Sequence, residues 1–153
     1  MRRDLPAHMK YRLIARQNNY LQRPSESLQH LGPLDYDDMS GVEERQEYVF
    51  KNGARYIGQW KGDMRHGYGE QTWADGAKYA GDWRFNKAHG KGTFWHITGD
   101  KYEGHWKDDK AHGYGVYTHS NGAKYQGHWE DDLQHGWGLE EWTDGSKYEG
   151  FYF

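Results

Sequence analysis

From Lys78 the chain reads KYAGDW, and the alternation in that run sets the pattern for everything that follows. Side chains at i, i+2 and i+4 share one face of an extended strand. Tyr79, Gly81 and Trp83 therefore point one way, and Ala80 and Asp82 the other. The run GKGTFWH, residues 90–96, predicts a second strand with Gly90, Gly92 and Phe94 on one face. The polar stretch RFNKAH turns between the two, and TGDK turns into the next pair. Short turns in succession force antiparallel neighbours, because parallel pairing needs a crossover of about a dozen residues.

The pattern recurs every 23 residues. Tyr56, Tyr79, Tyr102, Tyr125 and Tyr148 hold one position. Gly58, Gly81, Gly104, Gly127 and Gly150 follow two residues later. Trp60, Trp83, Trp106 and Trp129 come next, with Tyr152 in the fifth place. His-Gly follows at His66, His89, His112 and His135, and a further glycine at Gly69, Gly92, Gly115 and Gly138. A fixed period of this length marks a repeat architecture. The expected fold is all-β: a curved, single-layer antiparallel meander of about ten strands, roughly 45 Å long at about 4.8 Å per strand. Each unit is one hairpin, with turns expected near residues 62–65, 85–88, 108–111 and 131–134. Gly53, Gly76, Gly99, Gly122 and Gly145 close the units as turn residues. The Tyr-x-Gly-x-Trp glycines sit inside strands, where each leaves a hollow that a ring from the adjoining strand can cover.

Tyr-x-Gly-x-Trp, His-Gly-x-Gly and Asp/Asn-Gly-x-Lys/Arg-Tyr at this period resemble the MORN (membrane occupation and recognition nexus) repeat. Four full units carry the resemblance, 56–78, 79–101, 102–124 and 125–147. A partial unit, 148–153, follows them, and EYVFKNGAR at 47–55 reads as the second strand of an incomplete leading unit. The array then spans 47–153, and the chain reads as either complete or a fragment of a longer array. Ahead of it, residues 1–23 predict a short helix after Pro6, with Met9, Leu13, Tyr20 and Leu21 near one face. Residues 24–46, with Pro24, Pro33 and two glycines, predict an acidic extended linker.

Composition sharpens this picture. Aromatics make up 17% and there are 21 glycines, so the packing surface consists of rings. There is no cysteine, which removes disulfides, thiolate nucleophiles and Cys-zinc sites. The net charge of −3 does not indicate a nucleic-acid binder. The charge is uneven: +4 over residues 1–32, −5 over 33–47 and −2 over the body. No apolar run approaches a membrane span.

Equivalent histidines lie about 9–10 Å apart, two strands per unit, too far to share one metal. They are expected to serve the turns, and no cofactor is expected. His-Gly-x-Gly lacks the third glycine of a dinucleotide loop and precedes no helix. An enzyme needs one asymmetric site, and this sequence repeats one surface four times. The expected function is non-catalytic.

The motif rings admit two readings, a core or an open groove. In the second, Tyr56, Trp60, Tyr79, Trp83, Tyr102, Trp106, Tyr125 and Trp129 form an aromatic groove for a protein partner. A contiguous exposed apolar strip usually marks an interaction site. The chain then reads as a scaffold or adaptor in a larger assembly, and the resemblance implies eukaryotic cytoskeletal, ciliary or cortical settings. Two alternatives stand beside it. One is a peripheral module recognising anionic lipid through Lys61, Arg65, Arg84 and Lys87, where the hairpin turns carry net positive charge. The turns become acidic towards the C-terminal end, which favours a protein partner over a flat membrane. The other is a structural subunit of an organellar complex, with the basic head as a mitochondrial address. Tyr148, Phe151, Tyr152 and Phe153 form a free strand edge, expected to self-associate or to meet a larger partner.

Overall fold

The structure is a computed structural model, and it describes residues 39–152. The helix and most of the linker expected at the N-terminus, and Phe153, lie outside the described residues. Ten strands follow one another: β1 (Val42–Val49), β2 (Arg55–Lys61), β3 (Met64–Thr72), β4 (Lys78–Arg84), β5 (Lys87–Trp95), β6 (Lys101–Lys107), β7 (Lys110–Thr118), β8 (Lys124–Glu130), β9 (Leu133–Glu141) and β10 (Lys147–Tyr152). They pair in sequence order as one antiparallel meander, the expected all-β fold. One boundary differs. β1 begins at Val42, inside the stretch read as linker, because VEERQEYV pairs with β2 despite its charge.

The hairpin turns are two residues long. Gly62-Asp63, Phe85-Asn86, Asp108-Asp109 and Asp131-Asp132 lie between their strands. In the last three, both turn residues have positive φ, between 45° and 71°. This is the twist that matches antiparallel strands, and Asn and Asp tolerate it best. The longer turns between units close differently. Between β3 and β4, the Gly76 N–H donates to the Trp73 carbonyl at 2.9 Å, and the Asp75 carboxylate accepts the Ala77 N–H at 3.1 Å.

Each hairpin carries a bulge. Gly81 faces Gly92 and Trp83 faces Ala88, so β5 has extra residues between them. Ala88, paired with Trp83 on the tip side of the bulge, turns its N–H and carbonyl away from β4, and the next hairpin's tip takes them. The Asp109 N–H donates to the Ala88 carbonyl at 2.9 Å, and the Asp109 carboxylate accepts the Ala88 N–H at 2.7 Å. Asp132 does the same at Ala111, and Asn86 at Arg65. The histidines complete this tie. Nδ1 of His66, His89 and His112 accepts the N–H of Phe85, Asp108 and Asp131 at 3.0, 3.3 and 3.4 Å. They sit in strands and hold the turn of the following unit.

Nine glycines line up across nine strands, from Gly58 in β2 through Gly69, Gly81 and Gly92 to Gly150 in β10. The ring expected over Gly81 lies elsewhere. A Cβ on Gly81 would strike the Gly92 backbone and the Lys91 carbonyl, whereas a Cβ on Gly92 would strike the Tyr79 ring. The first glycine of each motif permits close backbone approach, and the second accommodates the tyrosine.

Candidate interaction surface

The eight motif rings are not an open groove. Tyr56, Trp60, Tyr79, Trp83, Tyr102, Trp106, Tyr125 and Trp129 are 0–3% exposed and form the core, covered within the chain. Each tyrosine meets two rings edge-on. Tyr79 lies 5.0 Å from Trp83 and 5.5 Å from Trp106, and the contact recurs in every unit. Such pairs add about 0.5–1.5 kcal/mol beyond burial of their area. The polar ends are satisfied as well. The Tyr79 hydroxyl donates to the Asp82 carbonyl at 2.7 Å, and Trp83 Nε1 to the Gly69 carbonyl at 3.0 Å. Tyr152 joins this core instead of the free edge. It packs edge-on against Tyr125 at 5.2 Å and donates to Glu140 at 2.8 Å. Tyr148 and Phe151 remain exposed.

The opposite face carries a second set of rings. Tyr68, Lys91, Tyr114 and Trp137 share one position in β3, β5, β7 and β9, and face Asp82, His105, His128 and Phe151 across the neighbouring strand. Tyr68 is 52% exposed, Tyr114 47%, Trp137 48% and Phe151 61%. Trp137 and Phe151 meet edge-on at 5.0 Å, and Tyr114 and His128 at 5.9 Å. Between Tyr68 and Tyr114 lies an open depression of about 670 Å³ over Gly81, Gly92 and Gly104. Its walls are Asp82, Lys91 and His105 on one side and Ala80, Thr93 and Glu103 on the other. Sequence reasoning missed this row, although a signal was present. The free position inside His-Gly-x-Gly holds Tyr, Lys, Tyr and Trp, where a solvated strand position has no need of rings.

The MORN repeat model matches residues 56–78, 79–101, 102–124 and 125–147, more than half of the chain. The chain belongs to the MORN-repeat family. Comparison of the whole sequence with curated proteins gives no match. MORN repeats serve protein–protein or membrane and lipid interaction. In this MORN array the cations expected to meet lipid are divided. Arg65 is 1% exposed. It occupies the place of Ala88 and Ala111 in the following units, donates to Gln71 Oε1 at 2.9 Å and to the Asn86 carbonyl at 3.0 Å, and lies 4.4 Å over the Trp83 ring. It is a core cation. Lys61, Arg84 and Lys87 are half-buried near the turns, Lys61 with its ammonium 5.7 Å from the Phe85 ring and Arg84 3.1 Å from His89 Nε2. A line of five cations on the open face, Arg55, Lys78, Lys101, Lys124 and Lys147, was not anticipated. Three of them pair with carboxylates: Arg55 with Glu47 at 2.9 Å, Lys78 with Glu70 at 2.9 Å and Lys101 with Glu103 at 3.4 Å.

Proposed function

We propose that this MORN array is a non-catalytic scaffold or adaptor, and that it holds a segment of a protein partner on its open face. The observation that carries the reading is the exposed row of Tyr68, Tyr114, Trp137 and Phe151, on the face opposite the buried ladder. Exposed aromatic residues are typical interface anchors, and rings in one register, interrupted only by Lys91 between Tyr68 and Tyr114, present one row to one partner segment. A eukaryotic cytoskeletal, ciliary or cortical assembly is the setting that goes with this reading. An anionic membrane is less well supported, because Arg65 is buried and three of the five aligned cations already have carboxylate partners.

The test is site-specific photo-cross-linking in cells that express the whole chain. A photoreactive residue at position 114 or 137 yields a discrete protein adduct, and one at exposed Asp144, in the last turn between units, does not. Absence of adducts at 114 and 137, or the same adducts at all three positions, contradicts the reading.

A further inference from the structure

The open-face trough has a period of its own. Tyr68, Lys91, Tyr114 and Trp137 recur on every second strand at one register. Two strands span roughly 9.4–9.8 Å. An α-helix laid across the strands advances about 5.4 Å per turn, and a β-strand about 6.7 Å per side-chain repeat. Neither is in step with the rings. A polyproline II helix advances about 9.3 Å per turn of three residues. Over two steps it departs from the sheet's spacing by less than about 1 Å.

The chemistry of the walls agrees. Proline has no N–H, so a proline-rich segment presents carbonyls and needs donors from its site. The Tyr114 hydroxyl and the Trp137 indole N–H are donors on the exposed face, and the described residues offer them no acceptor. Lys91 adds an ammonium between Tyr68 and Tyr114. Ala80 and Thr93 keep one wall low, which leaves room beside the rings. The carboxylates of Glu70 and Glu103 are paired with Lys78 and Lys101. Exposed Asp82, in β4, whose carboxylate also accepts the Lys91 N–H at 3.1 Å, and Glu149, in β10, stand at either end of the stretch that holds Tyr114 and Trp137.

We infer that the open-face row, from the trough beside Tyr114 to Trp137 two strands beyond it, binds a proline-rich segment in the polyproline II conformation, laid across the strands with one proline per turn against Tyr114 and Trp137 and with basic residues at its flanks. The inference rests on the open face being the partner surface. It adds the conformation and chemistry of the segment bound there. Aromatic-lined grooves are a general means of holding polyproline II ligands, because the ligand is already ordered before it docks.

The test uses three labelled synthetic peptides of equal length with arginine at both ends, measured by fluorescence anisotropy against the whole chain. One has proline at every third position. The second has the same composition with proline at every fourth position. The third has alanine in place of proline. The first is expected to bind saturably, and the other two roughly tenfold more weakly or worse. The double variant Tyr114→Ala with Trp137→Ala is expected to remain folded, with a cooperative melt, and to lose at least about tenfold in affinity for the first peptide. Three outcomes overturn the inference: equal affinity for all three peptides, no saturation by the first up to about 1 mM, or unchanged binding by the double variant. Cross-linking at positions 114 and 137 separates this failure from the broader one. Discrete adducts without any proline preference remove the polyproline ligand and keep the surface, and no adducts remove both.

Discussion

Gly92 has no side chain because the Tyr79 ring occupies the space that one would need, and that ring is fixed by its hydroxyl on the Asp82 carbonyl at 2.7 Å. Gly81 faces chiefly backbone, with only the Tyr79 hydroxyl beyond it. The two glycines therefore differ in what could relieve a substitution. Gly92→Ala is expected to cost roughly 1–3 kcal/mol in urea denaturation, and Tyr79→Leu in the same chain should recover part of that loss as a coupling energy. Gly81→Ala is expected to cost at least as much, with less recovery from Tyr79→Leu, because the backbone clash remains when the Tyr79 hydroxyl is gone. Equal recovery at both sites would show that backbone contact is not what Gly81 is for. Sequence alone placed both glycines inside strands and made rings their reason. It could not separate the two roles, because strand alternation says which residues share a face and nothing about which atoms cross it.

At the scale of the hairpin, the tips hold the units together. Asn86, Asp109 and Asp132 occupy one position and make one contact, a side-chain oxygen on an outward-facing strand N–H of the preceding unit. Their charges differ, and that has a cost. Burial pushes the Asp109 carboxyl up to about 7, against the opposing pull of the Ala88 N–H and of Arg65 and Lys87. The folded chain thus keeps the Asp109 proton to a higher pH than the unfolded chain does. The stability this contributes is present below about pH 4 and is lost as pH rises through about 7. Asn86 shows that a neutral amide performs the same task. Asp109→Asn is therefore expected to change stability little near pH 4, and to raise it by on the order of 1–3 kcal/mol above pH 7. Thermal melts between pH 4 and pH 8 check this. A variant that is less stable than the parent at pH 8 would mean that the carboxylate is wanted as a charge. The turn positions were legible from polarity alone, because Asn and Asp cluster where the chain reverses. The tie between units was not, since it depends on which backbone groups face the next hairpin's tip, and single-strand periodicity does not contain that. For the same reason the histidines were assigned to turns in general. Their service to the following unit's turn appears only with the register.

Across the whole molecule, the sheet divides its two faces between different tasks. The motif residues that announce the family are the ones buried, and the rings between them are the ones displayed. The period, the meander and the strand count could all be read from the sequence, because each follows from the 23-residue spacing and the need for short turns. Which face is covered could not. Tyr79 and Trp83 alternate with Ala80 and Asp82 whether their face is a core or a groove, and a single sheet was expected to leave some motif rings for a partner. The structure covers them within the chain and leaves Tyr114 and Trp137 outside. The most direct test of this division is equilibrium urea denaturation of two single variants, Trp106→Ala and Trp137→Ala, beside the parent chain. Trp106→Ala is expected to lose about 3–5 kcal/mol, the cost of removing a core ring together with its hydrogen bond to the Gly92 carbonyl. Trp137→Ala is expected to lose no more than about 1.5 kcal/mol, the worth of its half-exposed ring and edge-on contact with Phe151. Equal losses in the two variants, or a larger loss at Trp137, would contradict the account.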